Sequence, residues 1–367
     1  MTAQIRMPSY DGRGLLNLAA ELELRLTGRS PSPGLEAGLA AEIPAAESYV
    51  LLVIDGLGDR QLGHRGAEPL GSARRGVIDA PFPTTTTVSL SCLVTAAAPS
   101  AHGVIGHLLW LPEVGSVVNT LRWVTIEGRP VDFDTAAMLP TPNLWERLRD
   151  AGREPVTVQP GGFLGSPLSR MLYRGCRFEP VWDTVDLVEA TIQLAAVPGR
   201  LVTTYLPHLD VAAHVTGQRS EEYDAAMGLA GQIWRQLAER LPAHVALIGT
   251  ADHGHIDYPE RAKRLLRGPG IQGLRFWGDP RGVLTSGPPV ALDRFGRWLG
   301  SQPVDGDKLN QLWGPGSRHP ALGERTPDAL FLAADGEVLL PPGFDKRLMG
   351  YHGGLDPAEV EVPLLVR

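Results

Sequence analysis

Three aspartates, three histidines and a run of hydroxyls carry the chemistry open to this sequence. Asp55 ends an apolar run. Asp210 and His214 stand four residues apart. Asp252 and His253 are adjacent, and His352 precedes two glycines. Carboxylates with imidazoles make an N/O ligand set, which suits Zn²⁺, with Mn²⁺ or Fe as replacements. Neither Cys92 nor Cys176 lies in these motifs, which argues against a closed structural zinc site. Six ligands and a hydroxyl suffice for two divalent ions. Ions about 4 Å apart can grip both the attacking and the leaving oxygen of an in-line phosphoryl displacement. The hydroxyl would come from Thr84-Thr85-Thr86-Thr87-Val88-Ser89. At a helix start it meets the positive end of the dipole and free backbone N–H groups. On a metal it ionises near neutral pH. One threonine is needed as the helix cap, and spacing alone leaves open which one attacks.

Each piece alone has a plainer reading. An aspartate after a strand is commonly a turn former or cap. An Asp–His pair four residues apart is also common on helix surfaces. A lone histidine between glycines is ordinarily a loop residue. What sets the motifs apart is their joint occurrence, in this order, at the ends of strands.

The elements that would position them alternate. Tyr49 to Ile54 is wholly apolar and β-branched, which predicts a strand buried on both faces. Further strands are predicted at Val77–Ala80, Glu154–Val158, Arg200–Leu206, Val245–Gly249 and Glu361–Val366. Helices are predicted at Thr84–Ala98, Asn143–Ala151, Leu187–Ala196 and Glu221–Leu241. In the last, Tyr223, Ala226, Ala230, Ile233, Trp234, Leu237 and Leu241 form one apolar stripe. The pattern predicts an α/β fold with a central, largely parallel sheet and helices on both faces. Ligands of such sheets bind beyond the carboxyl ends of the strands. Residues 258–342 are rich in Gly and Pro. They are expected to form a small inserted α+β subdomain that caps the site or simply completes the fold, with 1–257 and 343–367 as the core.

The bulk composition narrows the partners. Hydrophobic residues make up 43% and charged residues 20% of the 367, so large-scale disorder is not expected. A net charge of −7 gives no general attraction for nucleic acid or anionic membranes. A small anionic substrate would have to be held locally, by metal ions or a helix start. Two cysteines make no disulfide framework and fit a reducing compartment. The opening MTAQIRMPSYDGRG has no apolar signal core, and no run reaches about 18 apolar residues. The expectation from these is cytoplasmic placement without a membrane span.

The motifs resemble those of the alkaline phosphatase superfamily, and within it the nucleotide pyrophosphatase/phosphodiesterase group. The resemblance rests on Asp55, PTTT at 83–86, HG at 102–103, DxxxH at 210–214, DHG at 252–254 and HGG at 352–354. It implies an alkaline phosphatase-like fold and hydrolysis of phosphodiesters or phosphoanhydrides, such as nucleotides, on two metal ions. The family's nucleophilic Thr lies three residues after a Pro and sixteen before a His-Gly. Pro83 and His102 both lead to Thr86. The resemblance implies one zinc on Asp210, His214 and His352. It implies a second on Asp55, Asp252, His253 and Thr86, with a phospho-threonine intermediate.

Two departures bear on substrate. Many members carry Asn twenty-one residues after the nucleophile, where it donates to a phosphate oxygen. Here that position is His107, a candidate substrate-binding residue that can also donate. The family's Phe-Pro-Asn-His is replaced by Thr87-Val-Ser-Leu90. A phosphomonoesterase or phosphonate hydrolase of the same superfamily is therefore the alternative. A non-catalytic metal or nucleotide binder is the alternative of another class. Trp110 and Trp123 are candidates for base stacking or plain packing, His255 for support of the metals, and Arg60, Arg74 and Arg75 for anion contact or simple solvation.

Overall fold

The computed structural model describes residues 5–367. Its main sheet has seven strands, in spatial order Arg74–Asp79, Glu361–Val366, Val245–Thr250, Ser48–Ile54, Arg200–Leu206, Glu154–Pro160 and Arg177–Val181. Ser48–Ile54 runs parallel to both of its neighbours, with Val53 opposite Tyr205 and Thr250. Glu361–Val366 is antiparallel to the strands on either side of it. The sheet is thus mostly parallel, as the alternating pattern predicts. All seven residues of Ser48–Ile54 are buried, because helices cover both faces. Burial on both faces is why the sequence there shows no polar alternation.

Local sequence explains the helix starts. Asn143 accepts from the Glu146 N–H, and Glu146 reaches back to the Asn143 N–H, a reciprocal cap for Leu144–Asp150. Asp183 caps Thr184–Ala195, and Ser220 caps Glu221–Arg240. Every residue of the stripe read in the last helix is buried.

No element is predicted over Leu15–Thr27, yet these residues form an almost fully buried helix ending at left-handed Gly28. It packs against the helix Thr86–Thr95. Its leucines at 15, 18, 22 and 26 carry the 3.6-residue period that marks it. The predicted helix Thr84–Ala98 is shorter, at Thr86–Thr95, and a separate turn of helix spans Pro99–His102.

A second sheet has six strands, in order Ala329–Leu332, Gly282–Ser286, Arg275–Asp279, Leu108–Leu111, Ser116–Asn119 and Val124–Thr125. It draws strands from 108–125 as well as from 258–342. Gly278 pairs with Leu108 across that junction. The segment that carries His107 is thereby tied to the later part of the chain.

Candidate active site

Topology brings the ligand candidates to one rim. Asp55 follows Ile54, and its N–H bonds to the Leu206 carbonyl of the neighbouring strand. The helix His208–Val215 begins just beyond Arg200–Leu206 and puts Asp210 in its first turn and His214 in its last. Asp252 and His253 follow Val245–Thr250. The last strand runs the opposite way, so its beginning lies at this same rim. The chain passes through His352 just before that strand starts.

Thr86 is the first residue of the helix Thr86–Thr95, after an extended Thr85. Its Oγ1 lies 3.2 Å from His253 Nε2. Of its neighbours, Thr85 also lines the cleft and bonds Asp279, while Thr84 and Thr87 are engaged elsewhere. Thr84 Oγ1 donates to the Gly354 carbonyl and accepts from the Gly353 N–H, which ties this loop to the HGG turn. Thr87 Oγ1 accepts from the Thr120 hydroxyl. Gly353 has φ +111°, and a Cβ there would sit 2.4 Å from Asp279 Cβ. At Gly254 a Cβ would come 1.9 Å from the Ala358 carbonyl oxygen. Both motif glycines are therefore needed for close backbone approach.

Three histidines share one pattern. His214 Nδ1 is 2.8 Å from the Gly350 carbonyl, His352 Nδ1 2.7 Å from that of Thr84, and His253 Nδ1 3.2 Å from that of Gly254. A carbonyl only accepts, so each Nδ1 carries the proton and each Nε2 presents a lone pair inward. His352 Nε2 and His214 Nε2 face each other at 3.2 Å. Asp210 Oδ1 is 3.5 Å from His214 Nε2. Beside them, His253 Nε2 is 3.4 Å from Asp252 Oδ2 and 3.6 Å from Asp55 Oδ1.

This arrangement fits cations. Asp55 Oδ1 and Asp252 Oδ2 are buried without hydrogen-bond partners. Their other oxygens are satisfied: the Tyr205 hydroxyl donates to Asp55 Oδ2, while Asp252 Oδ1 accepts from the N–H groups of Gly56 (3.1 Å) and His253 (3.0 Å). Inward lone pairs and stranded carboxylate oxygens repel one another unless a positive charge lies between them. Burial, and then the nearby Asp210 and Asp252 charges, hold the Asp55 carboxyl well above the usual range. For Asp210, burial raises the pKa but is outweighed by His214, His255 and His352, leaving it well below the usual range. Burial and the neighbouring histidines push His352 well down. Asp210, His214, His255 and His352 form one potential ligand group, and Asp55, Asp210 and His253 a second. His255 is thus nearer to the centre than adjacency in sequence suggests.

A cleft of about 500 Å³ opens beside Thr86, lined among others by His107, Asn119, Arg122, Val211, Phe344 and His352. His107 does face the site. Asn119 Oδ1 accepts from the N–H groups of Leu121 and Arg122, which turns Nδ2 toward His107 Nε2 at 3.1 Å. His107 Nε2 is then an acceptor, and its proton lies on Nδ1. Burial, then the His214 and Arg122 charges, push His107 down to about 4, so the ring is neutral near pH 7. Nothing in the local sequence marks Asn119 or Arg122, because they reach the cleft through the hairpin of the second sheet. Trp110 and Trp123 do not line the cleft. Trp110 lies under the Arg275 guanidinium at 3.6 Å, and Trp123 stacks on Phe133. Arg74 pairs with Asp59, and Arg75 bonds backbone carbonyls of its own turn.

The model of the type I phosphodiesterase / nucleotide pyrophosphatase family matches residues 49–268, more than half of the chain and nearly all of the motifs above. The chain belongs to this family. It is a phosphoester hydrolase of the alkaline phosphatase superfamily, from a metal-dependent family. Among solved structures, murine ectonucleotide pyrophosphatase/phosphodiesterase 5 is 15% identical, with 87% of each chain covered and a TM-score of 0.66. An inactive threonine-to-alanine variant of that protein, in complex with AMP, gives the same figures. Phosphonoacetate hydrolase from Sinorhizobium meliloti 1021, in complex with phosphonoformate, is 16% identical over 88% of this chain and 91% of its own, with a TM-score of 0.62. At these identities the solved structures speak to the fold. No match is found among curated proteins. No helix among the described residues is long and apolar enough to cross a membrane.

Proposed function

We propose that this family member cleaves phosphodiester or phosphoanhydride bonds, as a nucleotide pyrophosphatase/phosphodiesterase, through a phosphoryl intermediate on Thr86. The observation that carries this reading is the Thr86 hydroxyl at a helix start, 3.2 Å from His253 Nε2 of the second ligand group. Asp210, His214 and His352 would hold one divalent ion, and Asp55, Asp252, His253 and Thr86 the other. The N/O donor set favours zinc, with manganese or iron as replacements. When bound, such ions neutralise the carboxylates, lower the pKa of a coordinated hydroxyl and draw charge from phosphate oxygens.

Thr86 Oγ1 forms the new bond to phosphorus as the bond to the leaving oxygen breaks. Water then attacks the phospho-threonine, freeing the phosphoryl product and restoring the hydroxyl. The start of the helix contributes N–H groups without intrahelical acceptors, aimed at the phosphate. The neutral His107, held by Asn119, donates its Nδ1–H to a phosphate oxygen in place of the family's asparagine amide. Val211 and Phe344 offer the substrate apolar contact, and Arg122 attracts its negative charge.

Thr86→Ala is expected to lower kcat for an aryl phosphodiester by on the order of 10³-fold or more, with metal content retained. Normal turnover in that variant would refute the mechanism. Phosphomonoester or phosphonate hydrolysis is the second reading, favoured by His107 at the asparagine position and by the fold shared with phosphonoacetate hydrolase. Comparing kcat/KM for an aryl phosphomonoester and an aryl phosphodiester separates the two.

A further inference from the structure

His255 stands apart from the other three histidines of the cluster. It is 1% exposed, and its Nε2 lies 2.9 Å from Asp210 Oδ1. Its backbone carbonyl accepts from the amides of both Gln61 (2.9 Å) and Gln218 (2.8 Å), which fix where the residue sits. Its Nδ1, however, has no hydrogen-bond partner. The backbone of Gly350 closes over that nitrogen, since a Cβ on Gly350 would lie 2.5 Å from it.

The position of the ring proton follows. Nδ1 has no partner with or without a proton, so the contact at Nε2 decides. With the proton on Nδ1, the Nε2 lone pair would face a carboxylate oxygen at 2.9 Å, lone pair against lone pair. With the proton on Nε2, the same contact becomes a charge-assisted hydrogen bond. A protonated Nε2 has no lone pair to give a metal. His214, His253 and His352 show the reverse pattern, with Nδ1 against a carbonyl and Nε2 free to ligate.

We infer that His255 is a positioning residue for the metal centre: its Nε2–H donates to Asp210 Oδ1 and sets the orientation in which that carboxylate meets a cation. Proximity alone would count four ligands around this ion. The hydrogen-bond pattern makes them three, Asp210, His214 and His352, with His255 holding the carboxylate. The inference rests on the two-metal reading above.

The test compares wild type, His255→Leu and His255→Gln, the last keeping an N–H donor near the place of Nε2. Zinc affinity is measured by competition with a chelating dye. His255→Leu is expected to weaken one of two zinc ions by 10- to 100-fold, the usual effect of losing such a support, while His255→Gln restores most of it. A leucine variant that binds both ions as wild type does, or a glutamine variant as weak as leucine, overturns the proposal. Each protein is also loaded with Co²⁺, and its solvent-exchangeable, hyperfine-shifted imidazole N–H signals are counted by proton NMR. Three are expected in every form, one each from His214, His253 and His352. A fourth with the large contact shift of a bound imidazole, present in wild type and lost in both variants, would make His255 a ligand and overturn the inference, whereas an Nε2–H donated to Asp210 shows only a smaller through-space shift. The glutamine variant alone decides that point if leucine does not fold. A wild type that binds no metal sinks the two-metal reading itself, an outcome distinct from a failure confined to His255.

Discussion

His102, the histidine of the HG motif, lies outside the cleft, and its burial predicts a measurable pH dependence of stability. It is fully buried beneath the helix that carries Thr86. The Val104 N–H donates to its Nδ1 at 3.2 Å, so its proton sits on Nε2, 3.3 Å from Cys92 Sγ. A second proton would put two donors face to face at Nδ1. Burial, and then the His319 charge, lower its pKa from the ordinary 6.5 to about 3. The unfolded chain therefore binds more protons than the native one between about pH 3 and pH 6.5, and stability falls as pH drops through that window. Above pH 6.5 the contribution is fully present. From pH 7 to pH 5, His102 alone removes about 2 kcal/mol, roughly 1.5 pH units at 1.36 kcal/mol each. The assay is urea unfolding of wild type and His102→Gln at both pH values, with the same metal loading. Glutamine loses packing and hydrogen bonds, but that loss is the same at both pH values and cancels. The wild type is expected to lose about 2 kcal/mol more than the variant on acidification. Equal losses would refute the reasoning, because His102 would then titrate alike in folded and unfolded chains.

His352→Ala removes one of the facing imidazoles, and metal analysis is expected to find one fewer ion per chain; unchanged metal content would count against the assigned ligand set. Gly254→Ala forces a methyl to within 1.9 Å of the Ala358 carbonyl. It is expected to destabilise the fold by about 1–3 kcal/mol in urea unfolding and to weaken metal binding by displacing His253. Leu52→Ala, in the strand flanked on both sides at the centre of the main sheet, is expected to cost about 2–5 kcal/mol. A loss under about 1 kcal/mol would mean that the strand repacks around the gap.

Much of the site can be read from the chain because each ligand candidate lies next to a strand whose composition identifies it. A wholly apolar run such as Tyr49–Ile54 belongs inside a parallel sheet, and parallel strands end at one rim. Asp55, Asp210 and Asp252 inherit their common location from that rule. His352 joins them because the last strand is antiparallel, which pattern alone does not reveal. The helix Leu15–Thr27 carried the period that marks it, yet its polar Asn17, Glu21 and Glu23 are buried as well. These interrupt the apolar stripe.

The sequence by itself determined the order of the strands along the chain, the residue types at their ends and the motif glycines that let loops close on one another. Tertiary structure alone decided that Asn119 holds His107 and that His255 serves Asp210. Those relations depend on hydrogen bonds between residues far apart in the chain. Their direction follows from where carbonyls and amides lie in space, and local composition carries no record of that.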